Sequence, residues 1–235
     1  MAEIDKNVTK SQRHDIYREL SYENQGFPEL VNLVGTQPCR VLDVGCGCGA
    51  NLGLLRKCGH EAIGITLSET EARIVRDQGL SCFVWDIASD TLPFPNKSFD
   101  ALIFSHVLEH LAWPEMVLQH YTQLLKPNGK VYVALPNAVQ FMQRWQFLLG
   151  RFRYTETGIM DCTHLRFFDF HTARKLVESA GLKVVQHCGL GKFPMGPFRE
   201  WLPRLSAKGD RLTSDLFPSF FAFHLIVVGC FPEAE

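Results

Sequence analysis

The sequence predicts an α/β fold, a mostly parallel sheet wrapped by helices, and three observations carry that expectation. Short apolar runs alternate along the chain with stretches of helical period. One such run, Val41-Leu42-Asp43-Val44, breaks into Gly45-Cys46-Gly47-Cys48-Gly49, the pattern of a buried strand that turns through a glycine loop into a helix. The chain also has enough material for one well-filled domain over 1–235, since 46% of its 235 residues are hydrophobic and its net charge is −1.

The elements follow in order. Residues 11–34 place Ile16, Leu20, Leu30 and Val31 at helical intervals interrupted by Gly26 and Pro28, which predicts an N-terminal helical cover over 1–37 made of two short helices. After the glycine loop, 51–57 reads as helix, 62–65 as the second strand and 68–77 as a helix, with Ser68 as cap and Glu71 in the capping-box position. Strands are expected at 82–85, 101–104 and 131–135, the last ended by Pro136, with a helix over 115–125 before it. A helix over 172–180 stops at Gly181, and strands at 183–186 and 223–228 complete a set of seven.

Two segments stand outside this alternation. The insertion 137–170 interleaves Phe141, Trp145, Phe147, Leu148 and Leu149 with Arg144, Arg151 and Arg153. Core packing, a lid and a membrane-surface anchor all suit that mixture. Segment 193–205 is expected to be irregular and repeats the theme with proline, aromatic and arginine residues.

Composition narrows the class of partner. No run of 18 apolar residues occurs, and Met1-Ala2-Glu3-Ile4-Asp5-Lys6 lacks the apolar core of an export signal, so a cytoplasmic protein is expected. Eight cysteines in such a chain are expected to be reduced thiols, and Cys46-x-Cys48 has no second pair at zinc-finger spacing. No nucleic-acid partner is expected. Charge is nonetheless uneven: residues 1–139 carry 12 Lys/Arg against 16 Asp/Glu, whereas 140–211 carry 12 against 6. A locally basic half favours an anionic small-molecule or lipid-linked acceptor, with peripheral membrane contact as a further expectation.

The glycine loop needs weighing between two nucleotide chemistries. Gly45, Gly47 and Ala50 satisfy the dinucleotide fingerprint, in which glycines let backbone N–H groups approach a ligand at a helix N-terminus. A nicotinamide-binding protein, however, places an acid for the ribose at the end of the next strand, and Thr66 stands there.

The run from Val41 to Gly49 resembles the first motif of class I S-adenosylmethionine-dependent methyltransferases. Two later segments resemble the same family in the right order: Leu92-Pro93-Phe94-Pro95-Asn96-Lys97-Ser98-Phe99-Asp100, leading to Ala101-Leu102-Ile103-Phe104-Ser105, and Leu124-Leu125-Lys126-Pro127-Asn128-Gly129-Lys130-Val131. The resemblance covers about residues 38–137. It implies a Rossmann-like seven-stranded sheet with helices on both faces and an antiparallel edge strand, and S-adenosylmethionine as cofactor.

Site residues follow from the resemblance and from the rule that ligands lie beyond the carboxyl ends of the strands. Asp43 is expected to orient the cofactor's amino group, and the N–H groups of Gly45, Cys46, Gly47 and Gly49 to meet its carboxylate. The run Gly64-Ile65-Thr66-Leu67-Ser68 is similar to that of cyclopropane-fatty-acid-type members, in which a polar side chain five residues after the Thr reaches the ribose. Glu71 holds that place here, and its capping role is the alternative. Asp86 and the Ile87 N–H are expected at the adenine, with Asp90 competing, and Ser105 and His106 at the end of the fourth strand.

Catalysis needs alignment and, for a hydroxyl acceptor, a base. Asp161-Cys162-Thr163-His164-Leu165-Arg166 resembles a segment of bacterial methyltransferases of glycan synthesis and of the methionine-biosynthesis-like group. It suggests His164 as base and Arg166 as anion clamp, with His106 lining the transfer site, or else a structural role for His164. No metal is expected. The acceptor favoured by this resemblance is a hydroxyl of a sugar or lipid-linked glycan; lipid, quinone and natural-product acceptors, or a catalytically silent cofactor-binding protein, are alternatives. His106-x-x-Glu109-His110 also spells a zinc-peptidase motif, which needs both His on one helical face.

Overall fold

The computed structural model describes residues 25–191, 201 and 203–232. The first expected N-terminal helix and most of 193–202 lie outside the described residues. Seven strands, β1 to β7 in chain order, form a sheet of order β3-β2-β1-β4-β5-β7-β6, the Rossmann-like arrangement expected from the sequence. The chain divides into two compact units, Met1–Pro95 and Asn96–Glu235.

In the first unit, α1 (Pro28–Val34) precedes β1 (Arg40–Val44), α2 (Ala50–Lys57), β2 (Glu61–Thr66), α3 (Glu69–Asp77) and β3 (Ser81–Val84). Pro28 opens α1 because a first-turn residue needs no N–H donor. β1 and β2 pair in parallel from Arg40↔Glu61 to Val44↔Ile65, and β2 and β3 from Ile63↔Ser81 to Thr66↔Val84. Both faces of β1 are covered, so Val41, Leu42 and Val44 read as one apolar run rather than alternating. Gly64 stands opposite Asp43, and a Cβ there would fall 2.5 Å from Cys46 Sγ and 2.7 Å from Leu52 Cδ1. The close seating of the glycine loop on β2 therefore requires glycine at 64.

The second unit contains β4 (Phe99–Ser105), a 3₁₀ turn (Leu108–His110), α4 (Pro114–Thr122), β5 (Leu125–Pro136), α5 (Phe141–Leu148), α6 (Phe170–Ser179), β6 (Lys183–Gly191), α7 (Pro203–Leu216), α8 (Pro218–Phe221) and β7 (Ala222–Cys230). β4 and β5 are parallel, while β7 runs antiparallel to both β5 and β6. Val131 to Asn137 are all buried, as a strand between two neighbours should be.

Several boundaries differ from the sequence expectation for identifiable reasons. The helix expected to 125 ends at Thr122, because Pro127 steers Lys126 into extended backbone and Leu125 pairs with Phe99 instead. α6 begins at Phe170, where Asp169 and Thr172 form a reciprocal capping box. β6 runs on to Gly191 because β7 offers partners as far as Ala222. Residues 203–205 are helical rather than irregular, with Pro203 opening α7. Inside the expected insertion, α5 has no buried residue and exposes Met142, Trp145 and Leu148. Asn137 anchors the start of that insertion: its Nδ2 donates to the Ala222 carbonyl at 2.8 Å and its N–H to the Phe223 carbonyl at 2.9 Å.

Candidate functional site

The glycine loop of the first unit is shaped by its own backbone. Gly45, Gly47 and Gly49 all have positive φ, the region only glycine enters at little cost. The N–H groups of Gly45 and Cys46 both donate to the Ile65 carbonyl at 2.9 Å, and that of Gly49 to the Cys46 carbonyl at 3.0 Å. The first two donors hold the loop against β2, and the third closes the turn within it. The Gly47 N–H makes no hydrogen bond among the described residues, so it is a loop donor available to an anion.

Asp43 sits beneath this loop, 1% exposed, with neither carboxylate oxygen hydrogen-bonded among the described residues. Burial pushes its pKa up to about 7, and the Asn51 side chain opposes this only in part. Asn51 is also held elsewhere, accepting from the Phe27 N–H at 2.8 Å. An acid in this state is matched to a bound cation such as an ammonium group. Asn51 carried no signal in the sequence, since it reads as an ordinary helix residue.

At the carboxyl end of β2, Thr66 Oγ1 donates to the Glu71 carboxylate and accepts from the Ser68 N–H at 3.3 Å. Glu71 is buried, and Ser68 caps α3 by accepting from the Glu71 N–H. An open concavity of about 460 Å³ is lined by Leu67, Glu69, Val84, Trp85, Asp86 and Ser89. The Trp85 Nε1 is buried with no hydrogen-bond partner among the described residues, and Asp86 Oδ1 accepts from the Ala88 N–H at 2.9 Å. Ile87 follows on the same turn and is half-buried, whereas Asp90 is exposed.

In the second unit, the chemistry concentrates after β4. Ser105 closes the strand, half-buried and paired with Ala134. His106 has φ 54°, a left-handed conformation uncommon for a residue with a side chain. The strain is held by its N–H, which donates to the Ala134 carbonyl at 3.0 Å, and by its ring. His106 Nδ1 lies 3.3 Å from Glu109 Oε1, and Nε2 lies 3.1 Å from His224 Nδ1. Strained residues of this kind concentrate where function demands the geometry.

Glu109 is the hub of this group. Burial opposes its ionisation, but the hydrogen bond from His106 and the charges of His106 and His110 outweigh it, holding the carboxyl below its usual range. Burial pushes His110 down, and loss of solvent with His106 alongside pushes His224 down to about 4. The zinc-peptidase reading is not supported by geometry, because Leu108–His110 is a single 3₁₀ turn and His106 precedes it in left-handed backbone. Those residues do not form the helical face the motif requires.

The insertion docks on this turn through backbone. The N–H groups of Leu165 and Arg166 both donate to the Glu109 carbonyl, at 2.8 and 3.0 Å. His164 is consequently buried, with Nδ1 donating to the Ile159 carbonyl at 3.0 Å and Nε2 3.9 Å from Glu109 Oε1. Arg166 donates Nε and Nη2 to the Ala112 carbonyl at 3.0 and 2.6 Å and lies over the Trp113 ring. His224 was invisible to sequence reasoning. Only the β5–β7 register, which sets it opposite Pro136, brings it to His106.

A glycine loop over a buried acid at the end of β1, with a carboxylate reaching the end of β2, is the arrangement that the resemblance to class I methyltransferases leads one to expect around the cofactor. Comparison with known proteins agrees. Residues 13–187 match the model of the methyltransferase domain, so the chain belongs to that family and S-adenosylmethionine is its cofactor. It is 33% identical over 95 residues to a demethylmenaquinone methyltransferase of Tropheryma whipplei, covering 40% of either chain. It is 28% identical over 178 residues to a mitochondrial ubiquinone biosynthesis O-methyltransferase of Bos taurus, covering 69% of this chain and 46% of that one. The chain thus spans less than half the length of these relatives. Among solved structures, a methyltransferase of Archaeoglobus fulgidus shares the fold with a TM-score of 0.61 and 19% identity, over 87% of this chain and 94% of that one. None of the eight cysteines is in a disulfide among the described residues.

Proposed function

We propose that the protein methylates a hydroxyl oxygen of a ring-bearing acceptor with an apolar portion, of the quinol or phenol type. S-adenosylmethionine supplies a methyl group made electrophilic by its sulfonium. On this reading Asp43 receives the cofactor's ammonium group, the Gly47 N–H faces its carboxylate, Glu71 with Thr66 offers acceptors to the ribose, and Asp86 with Ile87 faces the adenine. Each role suits a group already held by the fold, so little reorganisation is needed on binding.

The single observation that carries the acceptor chemistry is His106. Its ring is partly exposed, and Glu109 accepts from Nδ1, so Nε2 is the nitrogen positioned to take a hydroxyl proton. His224 shares that nitrogen in the absence of acceptor and would be displaced by it. His164 is too enclosed for the same work, and its role becomes support, as does that of Arg166.

The names of the relatives favour a quinone-type acceptor over a sugar. A second reading, a lipid-linked glycan hydroxyl, is favoured by Arg144, Arg151 and Arg153 in the insertion. Both acceptors carry an apolar tail, and the exposed Met142, Trp145 and Leu148 of α5 beside those arginines suit contact with an anionic membrane surface. No helix among the described residues is long and apolar enough to cross a membrane.

The test is a turnover assay following demethylated cofactor, with short-tailed catechol or quinol acceptors, free sugars and lipid-linked sugars in parallel. Turnover confined to the ring acceptors, lost in His106→Ala, supports the proposal. Turnover only with sugars, or unchanged turnover in His106→Ala, contradicts it.

A further inference from the structure

The turn after β4 and the far end of the insertion together present a set of metal ligands. Glu109 is 1% exposed, and its Oε2 has no hydrogen-bond partner among the described residues. Glu109, His110 and His164 each offer one ligand atom, and these atoms lie within 4.8 Å of one another. The two imidazoles pack edge to face, with centroids 4.8 Å apart.

Outward hydrogen bonds fix the tautomer of both rings. The Ile159 carbonyl can only accept, so His164 Nδ1 carries the proton and the lone pair of the neutral ring falls on Nε2, the nitrogen facing Glu109. Thr163 commits its one hydroxyl proton to Asp161 Oδ1 at 2.6 Å, so it accepts from His110 Nδ1–H at 3.1 Å. The lone pair of a neutral His110 therefore also falls on Nε2. Carbonyl and hydroxyl partners of this kind orient metal-bound imidazoles and set which nitrogen is the donor.

We propose that Glu109, His110 and His164 bind one divalent transition-metal ion of the zinc class. Two nitrogen donors and one carboxylate suit zinc or its neighbours better than magnesium or calcium, which prefer all-oxygen sets. Bonds of ~2.0–2.1 Å in tetrahedral geometry place donors ~3.3 Å apart, so loading draws the three side chains together. Three protein ligands leave a fourth position for an oxygen ligand. The ion would also staple the insertion to the turn that carries His106. This site is distinct from the helical zinc motif, because His106 is turned to His224 and the second imidazole, His164, comes from the insertion, far along the chain from His110.

The full chain, stripped with chelator and dialysed, is titrated with zinc against a chromophoric competitor, and cobalt is added in parallel for its visible spectrum. The proposal predicts one equivalent of zinc and a tetrahedral or five-coordinate cobalt spectrum without thiolate charge-transfer absorption. His164→Gln and Glu109→Gln, checked for folding by circular dichroism, should lower the affinity by about 100-fold or more. Thr163→Val, which removes the hydroxyl that accepts from His110 and donates to Asp161 but no metal ligand, should lower it by about 10–100-fold. His171→Gln, on the exposed face of α6, should keep one equivalent. No binding by the folded chain, thiolate absorption, or binding indifferent to His164→Gln and Thr163→Val would overturn the assignment.

Discussion

Two of the buried carboxylates, Asp43 in the first unit and Glu109 in the second, have opposite fates. Neither carboxylate oxygen of Asp43 has a hydrogen-bond partner among the described residues, and burial, opposed in part by the Asn51 side chain, raises its pKa to about 7. Glu109 in the second unit is equally buried, yet the surrounding histidines hold its pKa below the usual range. The difference lies in which cation has been supplied by the chain itself. Asp43 waits for a cation from outside, which fits a cofactor carrying an ammonium group. Glu109 is already ionised and ties His106, His110 and His164 into one group, which fits proton removal from an acceptor and a metal.

That contrast is broken most severely at His106. His106→Ala should reduce kcat by about 10²–10⁴-fold while leaving the cofactor Kd within a factor of two or three, measured by single-turnover kinetics and titration. Asp43→Asn should do the converse, weakening cofactor binding by roughly 10–150-fold, the value of a hydrogen bond between charged partners. Gly64→Ala tests packing rather than chemistry. Its Cβ would meet Cys46 and Leu52, and a stability loss of about 1–3 kcal/mol is expected in urea denaturation.

The pH dependence sharpens the comparison, because stability and affinity should move in opposite directions through Asp43. Its folded pKa of about 7 lies above the ordinary 3.8. The unfolded chain therefore ionises first, and stability is lost as pH rises between these values, by about 4 kcal/mol in all. Cofactor affinity, which needs the carboxylate, should instead fall as pH drops below about 7, by up to about tenfold per unit. Asp43→Asn should flatten both trends.

Much of the first unit was legible because its loop is shaped by backbone and by consecutive residues. The glycines at 45, 47 and 49 announce a turn at positive φ, and Asp43 stands beside them in the chain. The second unit was legible only in part. His106, Glu109 and His110 are consecutive enough to form a motif, but the motif suggested a helix where the chain makes a 3₁₀ turn. His164 stood out in sequence as a base, yet its burial follows from two backbone bonds to Glu109 that no local pattern encodes. His224 reaches His106 through an antiparallel register set more than a hundred residues away. Asn51 and Asn137 act through hydrogen bonds to distant backbone, and neither differs locally from a surface asparagine.

The most direct test of the account is calorimetric titration of the full chain with S-adenosylmethionine between about pH 5 and pH 8, for the parent protein and for Asp43→Asn. Tight binding is expected at pH 8, weakening progressively below about pH 7, with weak, nearly pH-independent binding in the variant. Equal affinity in the two proteins, or no binding by a folded parent chain at any pH, would contradict it.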